Sequence, residues 1–381
     1  MSGRQVRYNV TSAFLANAEK ASATQILTIP ADQPERIFPR DADGIARLRK
    51  DLLKIWHPDR NPDAKAGDVF HHINTLADAA KDKLDRGVWS VEGRLDISTA
   101  DGKGIKIQYL RKHDFELGEC YISTRKVTYV VRGAYADLFD NAVKQIQNFK
   151  FANDKMKAGF ETYLPKIFKT LEAKNGDRVL IVEKEPDAVS LRDCFNYASD
   201  HDGIDPRHVG WIMSRLHNFT AYLQWAGLTH NAISLDTCFI LPKDSSFDRS
   251  KGKIAPKDHA LSVLGGWWYA AKVDQPLLGL PADALKYVPR NVLASGRADP
   301  QIDRTMVRVA GRELLGDVTG VRLARDGKTP KAMADWLAMP GSGDAISDFA
   351  TWRDKILTDS FGARKFVELN VGPNEVYALK P

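Results

Sequence analysis

The chain has 381 residues, a length that suits two domains. Hydrophobic residues make up 43% and charged residues 27%, values ordinary for a globular protein and against a collagen-like or disordered one. The formal net charge of +6 is mildly basic and too small to argue for a nucleic-acid partner by itself.

In chain order, Val10–Ala23 reads as a short helix with Thr11 or Ser12 as its N-cap, inside an N-terminal extension over 1–29. Pro30 to Pro39 reads as loop. DGIARLRKDLLKIW (43–56) places Ile45, Leu48, Leu52, Ile55 and Trp56 at helical spacing, with Asp41 or Asp43 as cap. Pro58 forces the helix to stop before it. HPDRNPDAKA (57–66) is a polar loop. GDVFHHINTLADAAKDKL (67–84) resumes helical spacing through Val69, Phe70, Ile73, Leu76, Ala77 and Ala80, and Gly87 is the expected stop. GRLDIST, GIKIQYLRK, GECYIST and KVTYVVRG then read as strands of an antiparallel sheet. A long helix is expected over 135–163. A hairpin turning at Lys174–Asn175–Gly176–Asp177 follows, and the chain is mostly helical after 205. The class is therefore α+β.

Cys120, Cys194 and Cys238 are odd in number and widely spaced. They make neither a disulfide framework nor a CxxC knuckle, which suits a reducing compartment. No run approaches the apolar length of a membrane helix, and MSGRQVRYNV lacks a signal-peptide core. A cytoplasmic protein with no membrane partner is expected.

His57–Pro58–Asp59 is the most informative local feature. Its setting, a basic helix ending in Trp56, the loop WHPDRNPD and a second helix carrying Phe70, Ile73 and Asn74 in VFHHIN, resembles a J domain over 30–88. The resemblance implies that Arg47, Arg49, Lys50 and Lys54, together with His57, Pro58 and Asp59, bind a DnaK-type chaperone and stimulate its ATP hydrolysis. The residue chemistry agrees. A basic helical face suits an acidic partner surface, and an exposed carboxylate can accept from a partner arginine. The chain departs from the family in four ways. ILTIPADQPERIF shows no clear first helix, no Gly/Phe-rich linker follows residue 88, there are no zinc-knuckle cysteines, and the helix carrying VFHHIN has no Glu-Ala-Tyr ending.

The remainder, drawn as 90–381, resembles a protein kinase in order and spacing. FETYLPKIFKTLEAKNGDRVLIVEKEPDAVSLRDCF is similar to the fourth and fifth kinase strands, the hinge and the next helix. HVGWIMSRLHNFTAYLQWAGLTHNAISLDTCFI is similar to the long helix leading into the catalytic loop. YVPRNVLASG is similar to the segment ending in Ala-Pro-Glu, and Asp303 opens a segment similar to the buried helix of the larger lobe. Fold class is thus expected to be a helical J-domain hairpin plus a two-lobed kinase-like domain.

Phosphoryl transfer needs a base, magnesium ligands and a phosphate-binding lysine. His230 is kept, but Ala232 stands at the base, Thr237 at the magnesium asparagine and Leu264 at the metal aspartate. Arg132 is the nearest match to the lysine, and Gly118 is the only glycine in FELGECYIS. A pseudokinase that is not itself an enzyme is expected, with no cofactor, and with an unknown client or partner held by the kinase-like part. Asp236 would serve only in a shifted loop and would still lack the second metal carboxylate. His71 and His72 point about 100° apart on a helix and argue against a shared metal. Trp267–Trp268–Tyr269 fits core packing better than a stacking platform, and RSKGKIAPK (249–257) fits a solvated loop better than a nucleic-acid contact. Two rival readings stay open: a chaperone-binding decoy, and an atypical kinase or nucleotide-binding enzyme.

Overall fold

The structure, a computed structural model, describes residues 18–91, 93–200, 203–242, 260–325, 327–341, 344–363, 367, 369 and 371–377. The expected Val10–Ala23 helix lies mostly outside the described residues, and the basic stretch 249–257 lies wholly outside them. No helix among the described residues is long and apolar enough to cross a membrane.

The chain divides into two compact units. The first holds the described residues up to Ser123, with Thr128–Ala134 and Thr170–Leu180. The second holds Thr124–Val127, Tyr135–Lys169 and the described residues from Ile181 onward. The compact division therefore does not fall at residues 88–90, where the sequence alone draws it.

The first unit opens with α1 (Ala23–Leu27), α2 (Ala42–Ile55) and α3 (Ala66–Asp85). Asp41 caps α2, its carboxylate accepting from the Gly44 N–H at 2.6 Å. The apolar stripe of α2, with Ile45 and Leu52 fully buried, packs on Val69, Ile73, Leu76, Ala77 and Ala80 of α3. Among the described residues the α-helix preceding α2 is α1, five residues long and held by a Ser22–Gln25 capping box. The segment read as a plain loop, Pro30–Pro39, buries Ile37 and Phe38 in the same core and forms a short 3₁₀ turn at Pro34–Arg36.

Strands β1 (Val88–Val91), β2 (Arg94–Ser98) and β3 (Gly104–Gln108) form an antiparallel meander. The expected single strand GIKIQYLRK is broken. Tyr109 N–H bonds to Gly93 and Leu110 N–H to Ile122, so the chain changes sheets between them. β4 (Arg111–Phe115), β5 (Gly118–Ile122), β6 (Lys126–Val131), β7 (Ile167–Glu172) and β8 (Arg178–Glu183) form a five-stranded sheet in the order β4-β5-β6-β8-β7. The β7–β8 turn falls at the expected residues, with Gly176 at φ 90°, a conformation open to glycine.

In the second unit the expected helix 135–163 is two helices, α4 (Ala136–Gln147) and α5 (Asp154–Phe160). Asn153 restarts the helix by accepting from Met156 N–H, and Phe149 between them leaves the helical path to stack on Tyr222. After β9 (Val189–Ser190) and α6 (Leu191–Ser199), the core is built on α7 (Pro206–Trp225). β10 (Leu228–Thr229), β11 (Cys238–Leu241), β12 (Ala260–Val263) and β13 (Ala271–Lys272) follow, with β11 paired to β9 and β12. Helices α8 (Ala282–Tyr287), α9 (Arg290–Ala294), α10 (Pro300–Leu314), α11 (Lys331–Ala338) and α12 (Ala345–Thr351) complete the main body. Trp267, Trp268 and Tyr269 are buried, so this aromatic run is core rather than an exposed platform.

Candidate functional site

In the first unit, α2 ends at Trp56, whose N–H still bonds to Leu52. Trp56 itself is buried in the hairpin core, so the chain must turn outward immediately after it. His57 is half-exposed, and its ring meets Phe70 edge-on at 5.7 Å. The His57 Nδ1 accepts from the Asp59 N–H at 3.2 Å, which folds the tripeptide into a local turn. The Asp59 carboxylate is 87% exposed and points into solvent. Asn61 closes the turn from below. Its amide donates to the Ile55 carbonyl, and its side-chain oxygen accepts from Asp63 N–H.

The cations expected to bind a partner do not behave alike. Arg47, Lys50 and Lys54 are exposed, Lys54 with a 3.2 Å pairing to Asp51. Arg49 instead turns toward α3. Its guanidinium donates from Nε and Nη2 to Asn74 Oδ1 at 2.9 and 2.6 Å, with Asp78 3.7 Å away. Asn74 donates in turn to the Phe70 carbonyl at 3.0 Å. Arg49 thus sets the crossing of α2 on α3 and positions Phe70, rather than offering a free charge. Lys50, Lys54, His57, Asp59, Arg60 and Phe70 line one surface recess of about 580 Å³, together with Ala46, Arg49 and Leu53. His71 and His72 do not converge. His72 Nε2 lies 2.8 Å from the Ile29 carbonyl, while His71 is exposed beside Phe70.

In the second unit, the structure brings His230, Ala232, Thr237 and Leu264 together. The backbone N–H groups of His230 and Asn231 both donate to the Asp303 carboxylate, each at 2.7 Å. Asn231 stands at φ 65°, a backbone position that asparagine tolerates, and its amide donates to the Tyr269 carbonyl. The Thr237 carbonyl accepts from the N–H groups of Leu264 and Gly265 at 3.0 and 3.2 Å. Its hydroxyl lies within bonding distance of the Ala232 and Ser234 carbonyls and accepts from Ser234 N–H. Gly266 at φ 81° lets the chain turn here, and a Cβ on it would lie 2.6 Å from the His230 ring. These positions therefore present a methyl, a hydroxyl and an isobutyl group, with Ala232 and Leu264 buried. Such a set offers no anionic oxygen to a divalent cation.

Asp236 does not fill the gap. Its carboxylate is exposed and gripped by Arg192 through two contacts of 2.9 Å, and Arg192 also holds Glu313 at 2.7 Å. Gly118 serves packing rather than phosphate. It pairs with Phe115 across a tight β4–β5 turn, and a Cβ there would lie 1.9 Å from the Val130 carbonyl oxygen. Arg132 is exposed at the end of β6 in the first unit.

Burial dominates the electrostatics of the second unit. It pushes the Asp303 carboxyl up to about 6, against the two N–H donors and Arg304. Burial holds the His230 ring down to about 4, although its Nε2 bonds to the Gly265 carbonyl at 3.0 Å. His217, enclosed between Trp336 and Trp352, is held down to about 3 by burial and by nearby Arg308. Sequence reasoning misses three sets of residues: the Arg192 clamp, buried Lys184 and the ion cluster of the first unit described below. Lys184 is pushed down to about 8 by burial, and its ammonium donates to the backbone carbonyls of Glu185 and Ala188. RKHDF carries charges at Arg111, Lys112 and Asp114, and GECYI carries only Glu119, so no periodic signal in the sequence marks the ion cluster.

No protein-family model matches the chain, and no curated protein matches it. Among solved structures it is similar to vaccinia related kinase 3, with 11% identity and a TM-score of 0.44 over 71% of this chain and 92% of that one. A Toxoplasma gondii specific rhoptry antigen kinase domain gives 8% identity and 0.44 over 73% of this chain and 90% of that one. A second rhoptry kinase from Toxoplasma gondii gives 8% and 0.44 over 70% and 85%. At these values none of the likenesses bears on what the chain does.

Proposed function

We propose that the first unit is a J-like module that docks on a DnaK-type chaperone and stimulates its ATP hydrolysis, and that the second unit is a catalytically silent, kinase-like body that holds a client or partner. The observation that carries the chaperone reading is the recess at the end of α2. Lys50, Lys54 and Arg60 surround a turn that exposes the Asp59 carboxylate beside the His57–Phe70 edge contact. A basic, partly apolar recess of this kind speeds encounter with an acidic surface. The free carboxylate gives it one directional acceptor for a partner arginine. The silence of the second unit is supported by the chemistry of Ala232, Thr237 and Leu264, since transfer of a phosphoryl group needs metal-holding carboxylates.

Single-turnover ATP hydrolysis by a DnaK-type chaperone, with and without the full chain, tests this reading. Stimulation that His57→Gln abolishes supports it. Binding without stimulation would make the chain a decoy, and stimulation indifferent to His57→Gln would sink the HPD assignment. Incubation of the chain alone with ATP and magnesium should show no turnover above background. Turnover lost on mutating Asp236 would overturn the silent-kinase reading.

A further inference from the structure

Among the described residues the core of the hairpin α2–α3 is covered by Ile26 of α1, by Ile29 and by the segment Asp32–Arg40, which brings Ile37 and Phe38 into that core but has little regular backbone bonding of its own. Side-chain charges hold it instead. Lys83, near the end of α3, is buried with Glu35 at 2.9 Å and also donates to the Asp32 carbonyl. Lys112 on β4 reaches the Asp32 carboxylate at 2.7 Å, Asp114 at 3.2 Å and Glu119 of β5 at 3.2 Å. Glu119, itself buried, lies 4.0 Å from the Lys83 ammonium and accepts from the Tyr121 hydroxyl. Arg40 pairs with Asp96 of β2 at 3.0 Å, and Arg86 beyond α3 pairs with Asp177 at 2.7 Å. All these residues belong to the first unit.

Resting on the chaperone reading above, we propose that Lys83, Lys112 and Glu119 are positioning residues for the His57–Asp59 turn, acting through the Asp32–Arg40 segment that covers the hairpin core. A buried charge stripped of one partner is strongly destabilising, so the cluster behaves as one body. Loss of Glu119 leaves Lys112 and Lys83 buried near each other with less counter-charge. The strain passes to Asp32 and Glu35, and so to the cover over the hairpin core. α3 then transmits it along the helix, Lys83 lying about 20 Å from Phe70 at 1.5 Å per residue. In this protein the J-like hairpin is thus completed by strands that follow it in sequence, and cutting the chain after α3 removes part of its support.

Amide hydrogen exchange on the full chain tests the clamp without any chaperone. Glu119→Gln is expected to speed exchange at least about tenfold in α2 and α3 as well as in β4 and β5, because linked segments open together. Asp32→Asn, at a side chain 37% exposed, should do the same more mildly in a chain that still folds. Lys112→Arg, which keeps the charge, should retain most of the protection. His57→Gln should leave exchange unchanged. In the ATPase assay, Glu119→Gln should lose stimulation although the HPD turn is intact in sequence. Faster exchange confined to β4 and β5, with α2 and α3 untouched by either Glu119→Gln or Asp32→Asn, overturns the proposal. A wild-type chain that stimulates no chaperone while the exchange pattern appears as expected removes the chaperone reading and leaves the clamp standing.

Discussion

Two loops, one following helix α2 and one following strand β10, each opening on a histidine, went opposite ways. The turn at His57–Asp59 is a surface feature, with Asp59 exposed, Pro58 fixing the backbone, and cations around it that mostly have no structural duty. The loop at His230–Thr237 is an interior feature. Its backbone is tied to Asp303, its imidazole sits edge-on to Trp267 at 5.1 Å, and Ala232 is buried. The first loop leaves its charged groups to solvent, whereas the second commits its backbone donors and its imidazole to the interior.

The largest effect should come from the scaffold. Asp303→Ala removes the acceptor of two buried N–H groups, and urea unfolding should show a loss of about 3 kcal/mol. A loss under about 1 kcal/mol would mean that this loop is held by packing alone. Next comes an attempt to restore the missing carboxylate. Leu264→Asp places a charge in a packed interior and should cost roughly 3 kcal/mol without creating turnover. A well-folded variant that binds magnesium would break the contrast between the loops.

The pH dependence of stability separates them further. His217 and His230 have folded values depressed to about 3 and about 4. Their contribution is present above the unfolded value near 6.5 and is lost as pH falls through the folded values. Asp303, raised to about 6, works the other way, with stability present below the unfolded value and lost as pH rises through about 6. Two groups oppose one, so unfolding of the second unit should become easier as pH drops below about 6.5. His217→Phe should flatten that slope, and an unchanged slope would locate the proton uptake elsewhere. The smallest stability effects belong to the exposed turn. His57→Gln and Lys50→Glu should each shift the unfolding midpoint by no more than about 0.5 kcal/mol. Lys50→Glu should still slow chaperone association, by a factor that shrinks as salt is added.

Much of the first unit was legible in advance because its signals are local. The 3.6-residue stripe of Ile45, Leu48 and Leu52, the Asp41 cap and the stop before Pro58 each depend on neighbours in sequence, and the structure places α2 within one residue of the expected bounds. The same holds for the turn at Gly176. Expectations that depended on long-range partners fared worse. GIKIQYLRK is one apolar run, but Tyr109 and Leu110 bond to different sheets. Residues 135–163 keep helical spacing throughout, yet Phe149 finds Tyr222 and Phe160 and pulls the chain out of the helix. Arg49 reads as one more cation on a basic face, and only Asn74, 25 positions away, turns it inward.

By itself the sequence determined where the hairpin helices begin and end, that the HPD turn lies between them, and that Ala232, Thr237 and Leu264 bring no carboxylate to the His230 loop. These are statements about residue type and short spacing, fixed by side-chain chemistry and helical period. The tertiary structure alone decided which charges are free and which are spent. Lys112, Glu119 and Lys83 are paired only once strands and helix enclose them, because an ion pair is set by folded geometry and carries no period in the sequence.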